Sequence, residues 1–198
     1  IGIGDTYREK LDRIEDAIDA YRGALSIDPG SRTALVKLLE IHIQAQRFDE
    51  AVDILRQLLD AETEPRKKAY YTFTIATIYR EHLDQPVDAV DFYQQTLDLD
   101  HSKLEAFQAV DELLTTQKSW DDLERSYRKM IGRVKDTDND KLLFMLYKNL
   151  GEIYRSRLEQ PEHAASSFEL AVKINPGDVK VHEILSQLYE NSGELEKA

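Results

Sequence analysis

The chain of 198 residues has no cysteine, only eight glycines and five prolines, and far fewer basic than acidic side chains. The lack of cysteine excludes disulfides and thiolate chemistry, but it leaves both redox compartments open. The shortage of basic side chains gives a net charge of −12, which makes nucleic acid and anionic membranes poor partners. No apolar run approaches the roughly 18 residues of a membrane helix, so no membrane insertion is expected. No targeting signal is visible, and the cytoplasm is the default location.

The sequence does contain small or apolar residues at a nearly regular spacing, where one helix of a pair would press against the other. Successive members are separated by 34, 38, 34, 41 and 34 residues, and they are Ala17, Ala51, Ala89, Leu123, Ala164 and Ala198. A repeating step of about 34 residues is typical of stacked helix–turn–helix units. An ordinary helical bundle with chance spacing is the alternative, and the three equal steps argue against it.

Apolar residues follow a helical period throughout, and no stretch alternates long enough to predict a strand. The pattern, with its proline and glycine punctuation, predicts helices over about 1–11, 14–27, 31–45, 48–60, 65–83, 86–98, 102–117, 119–134, 140–158, 161–174, 178–191 and 194–198.

The residues around the spaced positions follow the signature W-x2-L-G-x2-Y, continued by alanine, an aromatic and proline. The best copy comprises Tyr147, Leu150, Gly151, Tyr154, Ala164, Phe168, Ala171 and Pro176. On these residues the chain resembles the tetratricopeptide repeat family over essentially its whole length. The resemblance implies an all-α, right-handed α-solenoid, a single array with approximate repeats 1–29, 30–64, 65–100, 101–138, 139–176 and 177–198.

The turns inside the repeats alternate between two kinds. Odd repeats have one residue more than the signature allows, and two of them open the second helix with Pro86 or Pro161. Even repeats carry an aromatic residue at the turn, Phe48 or Trp120. This alternation resembles long bacterial multi-repeat proteins. Because both ends fall inside a repeat and lack polar caps, we interpret the chain as a segment truncated at both ends, which could self-associate there.

A search for chemistry finds no catalytic, cofactor or metal site, so no cofactor is expected and the chain is not predicted to be an enzyme. Asp136, Asp138 and Asp140 alternate like calcium ligands, but the glycine and glutamate that such a loop requires are missing, which favours a solvated turn. His182 begins a zinc-protease pattern that lacks its second histidine. Both His182 and His42 occupy signature positions that predict packed side chains.

In the family that the chain resembles, the first helices of the repeats line a concave groove. The positions that would face this groove are Val36, Glu40, Ile43, Tyr70, Phe73, Thr77, Arg80, Glu112, Lys148, Glu152 and Arg155. Tyr70 and Phe73 either anchor a partner or pack on a neighbouring helix. Arg8, Arg80 and Arg155 recur at one position, and local pairing with glutamates is favoured over a ladder for acidic ligands. Chaperone-type carboxylate recognition is not supported, because Glu152 replaces the required asparagine.

The leading functional hypothesis is a protein-interaction scaffold that binds a peptide or a helix of a partner protein in this groove. The alternative is a regulatory or substrate-recruiting arm of a larger enzyme whose catalytic part lies outside this segment. A helical-repeat RNA binder is disfavoured, because the chain lacks a basic stripe.

Overall fold

The computed structural model describes residues 1–11 and 13–192. Those residues form eleven α-helices and no strand, and every helix end lies within two residues of its predicted place. The predicted helix over 194–198 lies outside the described residues. The helices are α1 Gly2–Lys10, α2 Ile14–Ile27, α3 Arg32–Gln44, α4 Phe48–Ala61, α5 Pro65–Glu81, α6 Pro86–Leu99, α7 Leu104–Gln117, α8 Trp120–Val134, α9 Asp140–Ser156, α10 Pro161–Ile174 and α11 Val179–Ser192.

The chain divides into two compact units, Ile1–Asp100 and His101–Ala198, called unit 1 and unit 2. In unit 1 each helix from α1 to α6 packs on the next, and in unit 2 the same holds from α7 to α11. Every unit is therefore a stack of helix hairpins, in which neighbouring hairpins bury the apolar faces that one hairpin alone would expose. The fold class is all-α, with tetratricopeptide-like repeats stacked as an α-solenoid.

The regularly spaced residues of the sequence lie in the buried core of the helix pairs. Ala17, Ala51, Ala89 and Ala164 are fully buried, and Leu123 is almost so; Ala198 lies outside the described residues. Four residues after each of these comes a large buried side chain, and this set comprises Tyr21, Leu55, Tyr93, Tyr127 and Phe168. The small residue lets the second helix approach the first, and the large one fills the space beside it.

Two glycines permit a closer approach still. A Cβ atom added to Gly4 would lie 2.6 Å from the ring of Tyr21, and one added to Gly151 would lie 2.8 Å from the ring of Phe168. These distances are shorter than any normal carbon contact. The signature glycine is therefore required here by the ring on the facing helix, and not by backbone conformation.

The turn inside each described hairpin from the second to the fifth contains one residue with positive φ, and none of the four is glycine. They are Gln46, Asp84, Lys118 and Glu159, with φ between 50° and 56°. Backbone hydrogen bonds show the predicted difference in length. The amide of Gln85 donates to the carbonyl of Tyr79, six residues back, whereas the amide of Arg47 donates to His42, five residues back.

The aromatic residues of the even turns each stack on the following repeat. The ring of Phe48 lies parallel to that of His82, with 3.9 Å between the ring centroids. The guanidinium of Arg157 lies 4.8 Å from the ring centroid of Trp120. His82 and Arg157 both come three residues after the signature tyrosine of an odd repeat, so the two stacks are equivalent contacts in units 1 and 2.

Candidate functional site: the first-helix faces

The first helices of unit 1 are α1, α3 and α5, and side-chain contacts join them in that order. Arg8 donates to Glu40 at 2.7 Å, which links α1 to α3. Arg32 donates to the hydroxyl of Tyr71 at 2.7 Å, which links α3 to α5. Arg32 also pairs with Glu62, and this hydrogen bond is the main cause that lowers the pKa of Glu62 to about 2. These contacts hold α1, α3 and α5 next to one another.

Four apolar side chains occupy predicted groove positions of α3 and α5, and we call this set the aromatic face: Val36, Ile43, Tyr70 and Phe73. Tyr70 is 60% exposed and Ile43 is 42% exposed, while Val36 and Phe73 are half-buried. The ring of Phe73 packs edge-on against buried Tyr93, with centroids 5.5 Å apart. Tyr70 has an edge contact with Tyr71 at 5.8 Å. Of the two alternatives for these rings, Phe73 packs in part on the neighbouring helix α6, whereas Tyr70 remains mostly exposed.

The two polar residues further along α5 differ in their surroundings. The hydroxyl of Thr77 donates to the carbonyl of Phe73 at 3.0 Å and lies 3.3 Å from the hydroxyl of Tyr93. Arg80 is exposed near the end of the helix. Thr77 therefore contacts the core, whereas Arg80 is exposed to solvent.

The corresponding side chains of unit 2 are mostly charged and are paired with one another. Lys148 lies 3.4 Å from Asp178, and Arg155 donates to Glu152 at 2.8 Å. Glu112 accepts a hydrogen bond from Gln108 at 3.0 Å. The pairs of Arg8 with Glu40 and of Arg155 with Glu152 agree with local pairing, and not with a ladder of free cations. Exposed pairs of this kind contribute little to stability.

Sequence reasoning missed two tyrosine–carboxylate contacts between the helices of a hairpin. Tyr21 donates to Asp5 at 2.7 Å, and Tyr127 donates to Asp111 at 2.8 Å. The hydrogen bond from Tyr21 is the main cause that lowers the pKa of Asp5, whereas burial is the main cause that raises the pKa of Tyr127. In both cases the acid precedes the tyrosine by 16 residues. That spacing is the signal that could have revealed them.

Of the two histidines that were predicted to be packed, one is buried and the other is exposed. His42 is 2% exposed, and its burial lowers the pKa of the imidazole. His182 is exposed and contacts the carbonyl of Pro176 at 2.9 Å, so the prediction of a packed side chain there is wrong.

The polar turn before α9 has a structural role at the start of that helix. The side chain of Asn139, beside the alternating aspartates, accepts a hydrogen bond from the amide of Leu142 at 3.1 Å and caps the helix. Within the described ranges, no three histidine or acidic side chains are arranged to hold a metal ion. The same part of the chain has no helix that is long and apolar enough to span a membrane.

Comparison with known families and proteins agrees with this geometry. Residues 10–70 and residues 146–178 each match a model of the tetratricopeptide repeat. One match lies in each unit, so each unit contains a segment similar to tetratricopeptide repeats. Repeat stacks of this class present extended binding surfaces and act as protein-interaction scaffolds.

Individual proteins are similar at low identity. The chain is 28% identical over 176 residues to the general transcriptional corepressor ssn6 of Schizosaccharomyces pombe. This alignment covers 83% of this chain and 15% of that protein. It is 23% identical over 195 residues to the N-terminal acetyltransferase A complex auxiliary subunit NAA15 of Arabidopsis thaliana. This alignment covers 97% of this chain and 22% of that protein. The chain thus spans less than a quarter of the length of these relatives.

A solved structure is also similar in its repeats. It is that of YrrB, described as a tetratricopeptide repeat protein with an unusual peptide-binding site. The comparison has a TM-score of 0.45 at 19% identity, and it covers 98% of this chain and 90% of that one.

Proposed function

We propose that this chain is a protein-binding scaffold whose aromatic face, on α3 and α5, binds a peptide or a helix of a partner protein. The observation that carries the proposal is the 60% exposure of Tyr70 beside a helix that presents Ile43 at 42%. Tyrosine is among the commonest anchors of protein interfaces, because its ring is rigid and its hydroxyl can still find a partner.

The surroundings of the aromatic face support the same choice. Phe73 and Val36 are half-buried, and we take them as the apolar base of this face. Such a base limits the side-chain freedom that binding would have to remove. In unit 2 the equivalent face has charged residues that already pair within the chain, with Met145 as its exposed apolar side chain. We therefore favour unit 1 as the primary binding surface.

A selection of random peptides against the whole chain tests this proposal. Peptides that bind the parent chain should lose at least about tenfold in affinity to a Tyr70→Ser, Ile43→Ser variant, since anchors contribute about 2 kcal/mol or more. Neither side chain is buried, so the thermal midpoint should hardly change. The matched control is Met145→Ser on the first-helix face of unit 2, which should retain the affinity. Equal binding by the parent chain and the double variant would refute the proposal.

A second candidate is an arm that recruits or regulates a larger enzyme. It is favoured by the similarity to NAA15, an auxiliary subunit of an acetyltransferase complex. Under this hypothesis the aromatic face binds an enzyme subunit and not a free peptide. Photo-cross-linking from position 70 in the full-length protein would distinguish the two, because a crosslink to a catalytic subunit is expected only for the arm.

A further inference from the structure

A cavity of about 300 Å³ opens on the surface of unit 2. Side chains of α8 and α10 form its two walls, and Leu150 and Tyr154 of α9 form its base. The base is buried, whereas wall residues such as Arg128 and Leu170 are exposed. The residues that α9 contributes here lie on the side of the helix opposite to Lys148 and Glu152. This cavity is therefore a separate site from the first-helix face.

One of the lining residues, Gly132, has no side chain. It lines the cavity from within α8, and a Cβ atom built on it would have no atom within 4 Å. Glycine in the middle of an exposed helix costs about 0.5–1 kcal/mol relative to alanine. Here neither close packing nor a positive φ requires it, in contrast to Gly151.

The lining suits an aromatic side chain. Leu150, Ile131 and Leu170 supply apolar surface, and the rings of Tyr154 and His163 lie side by side with centroids 5.2 Å apart. An aromatic guest could add an edge contact to these rings. The volume is at the small end of the roughly 300–1,000 Å³ of ligand pockets. It fits one side chain of a partner better than a larger cofactor.

The charge of the lining is opposite to that of the chain. The chain has a net charge of −12, yet Arg128 and His163 line the cavity and no carboxylate does. Glu124 accepts a hydrogen bond from the hydroxyl of Tyr154 and lies 3.6 Å from Arg128. Arg128 remains 69% exposed, so this contact is weak and a carboxylate from a partner could replace it.

We propose that this cavity binds a segment of a partner protein in which an aromatic side chain is followed by an acidic residue. The aromatic ring enters between α8 and α10, and the carboxylate pairs with Arg128 at the rim. A charge-assisted bond from arginine to a carboxylate sets the direction of the segment as well as its affinity.

Nuclear magnetic resonance of the whole chain with two short peptides tests the proposal. The probes are acetyl-Ala-Phe-Glu-Ala-amide and its charge-reversed counterpart acetyl-Ala-Phe-Lys-Ala-amide. One ring and one ion pair correspond to a dissociation constant of about 1 mM, so titration to about 5 mM is sufficient. The glutamate peptide should shift the amide signals of Gly132, Ser166 and Leu170. The lysine peptide should bind several-fold more weakly.

Two variants, one of them with a matched control, test the cavity and the ion pair separately. Gly132→Leu fills the cavity and should abolish the shifts, whereas Gly23→Leu, on α2 and equally uncrowded, should leave them unchanged. Arg128→Gln should make the two peptides bind equally. Absence of shifts at these three amides, equal binding of both peptides to the parent chain, or binding that survives Gly132→Leu would each overturn the proposal. None of these outcomes depends on the aromatic face of unit 1.

Discussion

Replacement of Gly151 by alanine should destabilise unit 2, although alanine is the better helix former. The new methyl group would lie 2.8–2.9 Å from three atoms of the Phe168 ring. That ring is fully buried and cannot turn away without displacing its neighbours. The substitution therefore sets a favourable backbone effect against a steric one, and the structure predicts that the steric effect prevails.

The magnitudes can be separated with a second glycine. Gly→Ala in a helix gains about 0.5–1 kcal/mol from backbone entropy alone. Overpacking of a buried contact costs about 1–3 kcal/mol. Gly132→Ala, with no atom near the added methyl group, should show only the gain. The difference between the two variants should thus be about 1–3 kcal/mol, or about 2–4 °C in thermal midpoint for each kcal/mol in a chain of this size.

Repeat arrays can unfold one segment at a time, so hydrogen exchange of the α9 and α10 amides should accompany the thermal melt. Faster exchange is expected there in Gly151→Ala and not in unit 1. The penalty should largely vanish in a Phe168→Leu background, since the contacting ring is gone. Equal stability of Gly151→Ala and Gly132→Ala, or a penalty that persists without the ring, would refute the reasoning.

Three further substitutions test the turns and the core. Lys118→Gly should stabilise the chain by about 0.5–1 kcal/mol in thermal melts, because Lys118 has φ of 56°; Lys135→Gly, at φ of −59°, should destabilise it. Burial lowers the pKa of His42 below the ordinary 6.5 of a histidine, so the unfolded chain binds the proton more readily, and the stability present above pH 6.5 is lost as the pH falls. Urea midpoints should show this slope reduced in His42→Leu but retained in His101→Leu, and an unchanged slope in both would contradict it. Arg157→Gln should shift the fluorescence of Trp120, the only tryptophan, whereas Arg155→Gln should not.

The fold was accessible from the sequence because its main determinant is local and periodic. A buried alanine, or in one case Leu123, recurs between paired helices at steps of 34 to 41 residues, and the punctuation by proline and glycine marks the helix ends. The sequence did not predict which turn residues would have positive φ. Gln46, Asp84, Lys118 and Glu159 hold a conformation that glycine favours, and their identities give no sign of it.

The sequence predicts which side of the helix carries the candidate site, but not how deeply each side chain is buried. The position of Tyr70 and Phe73 on α5 predicts the face that they share, and that face is set by the helical period. How far each ring is covered depends on a neighbour from another helix, and Tyr93 covers Phe73 alone. The cavity beside Gly132 could not be predicted from the sequence for the same reason. Its volume depends on how the side chains of three helices, α8, α9 and α10, pack together.

The two turn stacks, Phe48 on His82 and Trp120 on Arg157, have a consequence for how such an array changes length. Each stack requires a repeat with an aromatic turn to be followed by a repeat with a long turn. Loss of a single repeat of about 34 residues would place two turns of the same kind next to each other and remove a stack. Loss or gain of a pair preserves every contact of this type. The pair of repeats is therefore the unit in which a binding surface of this architecture can be lengthened or shortened without repacking its turns.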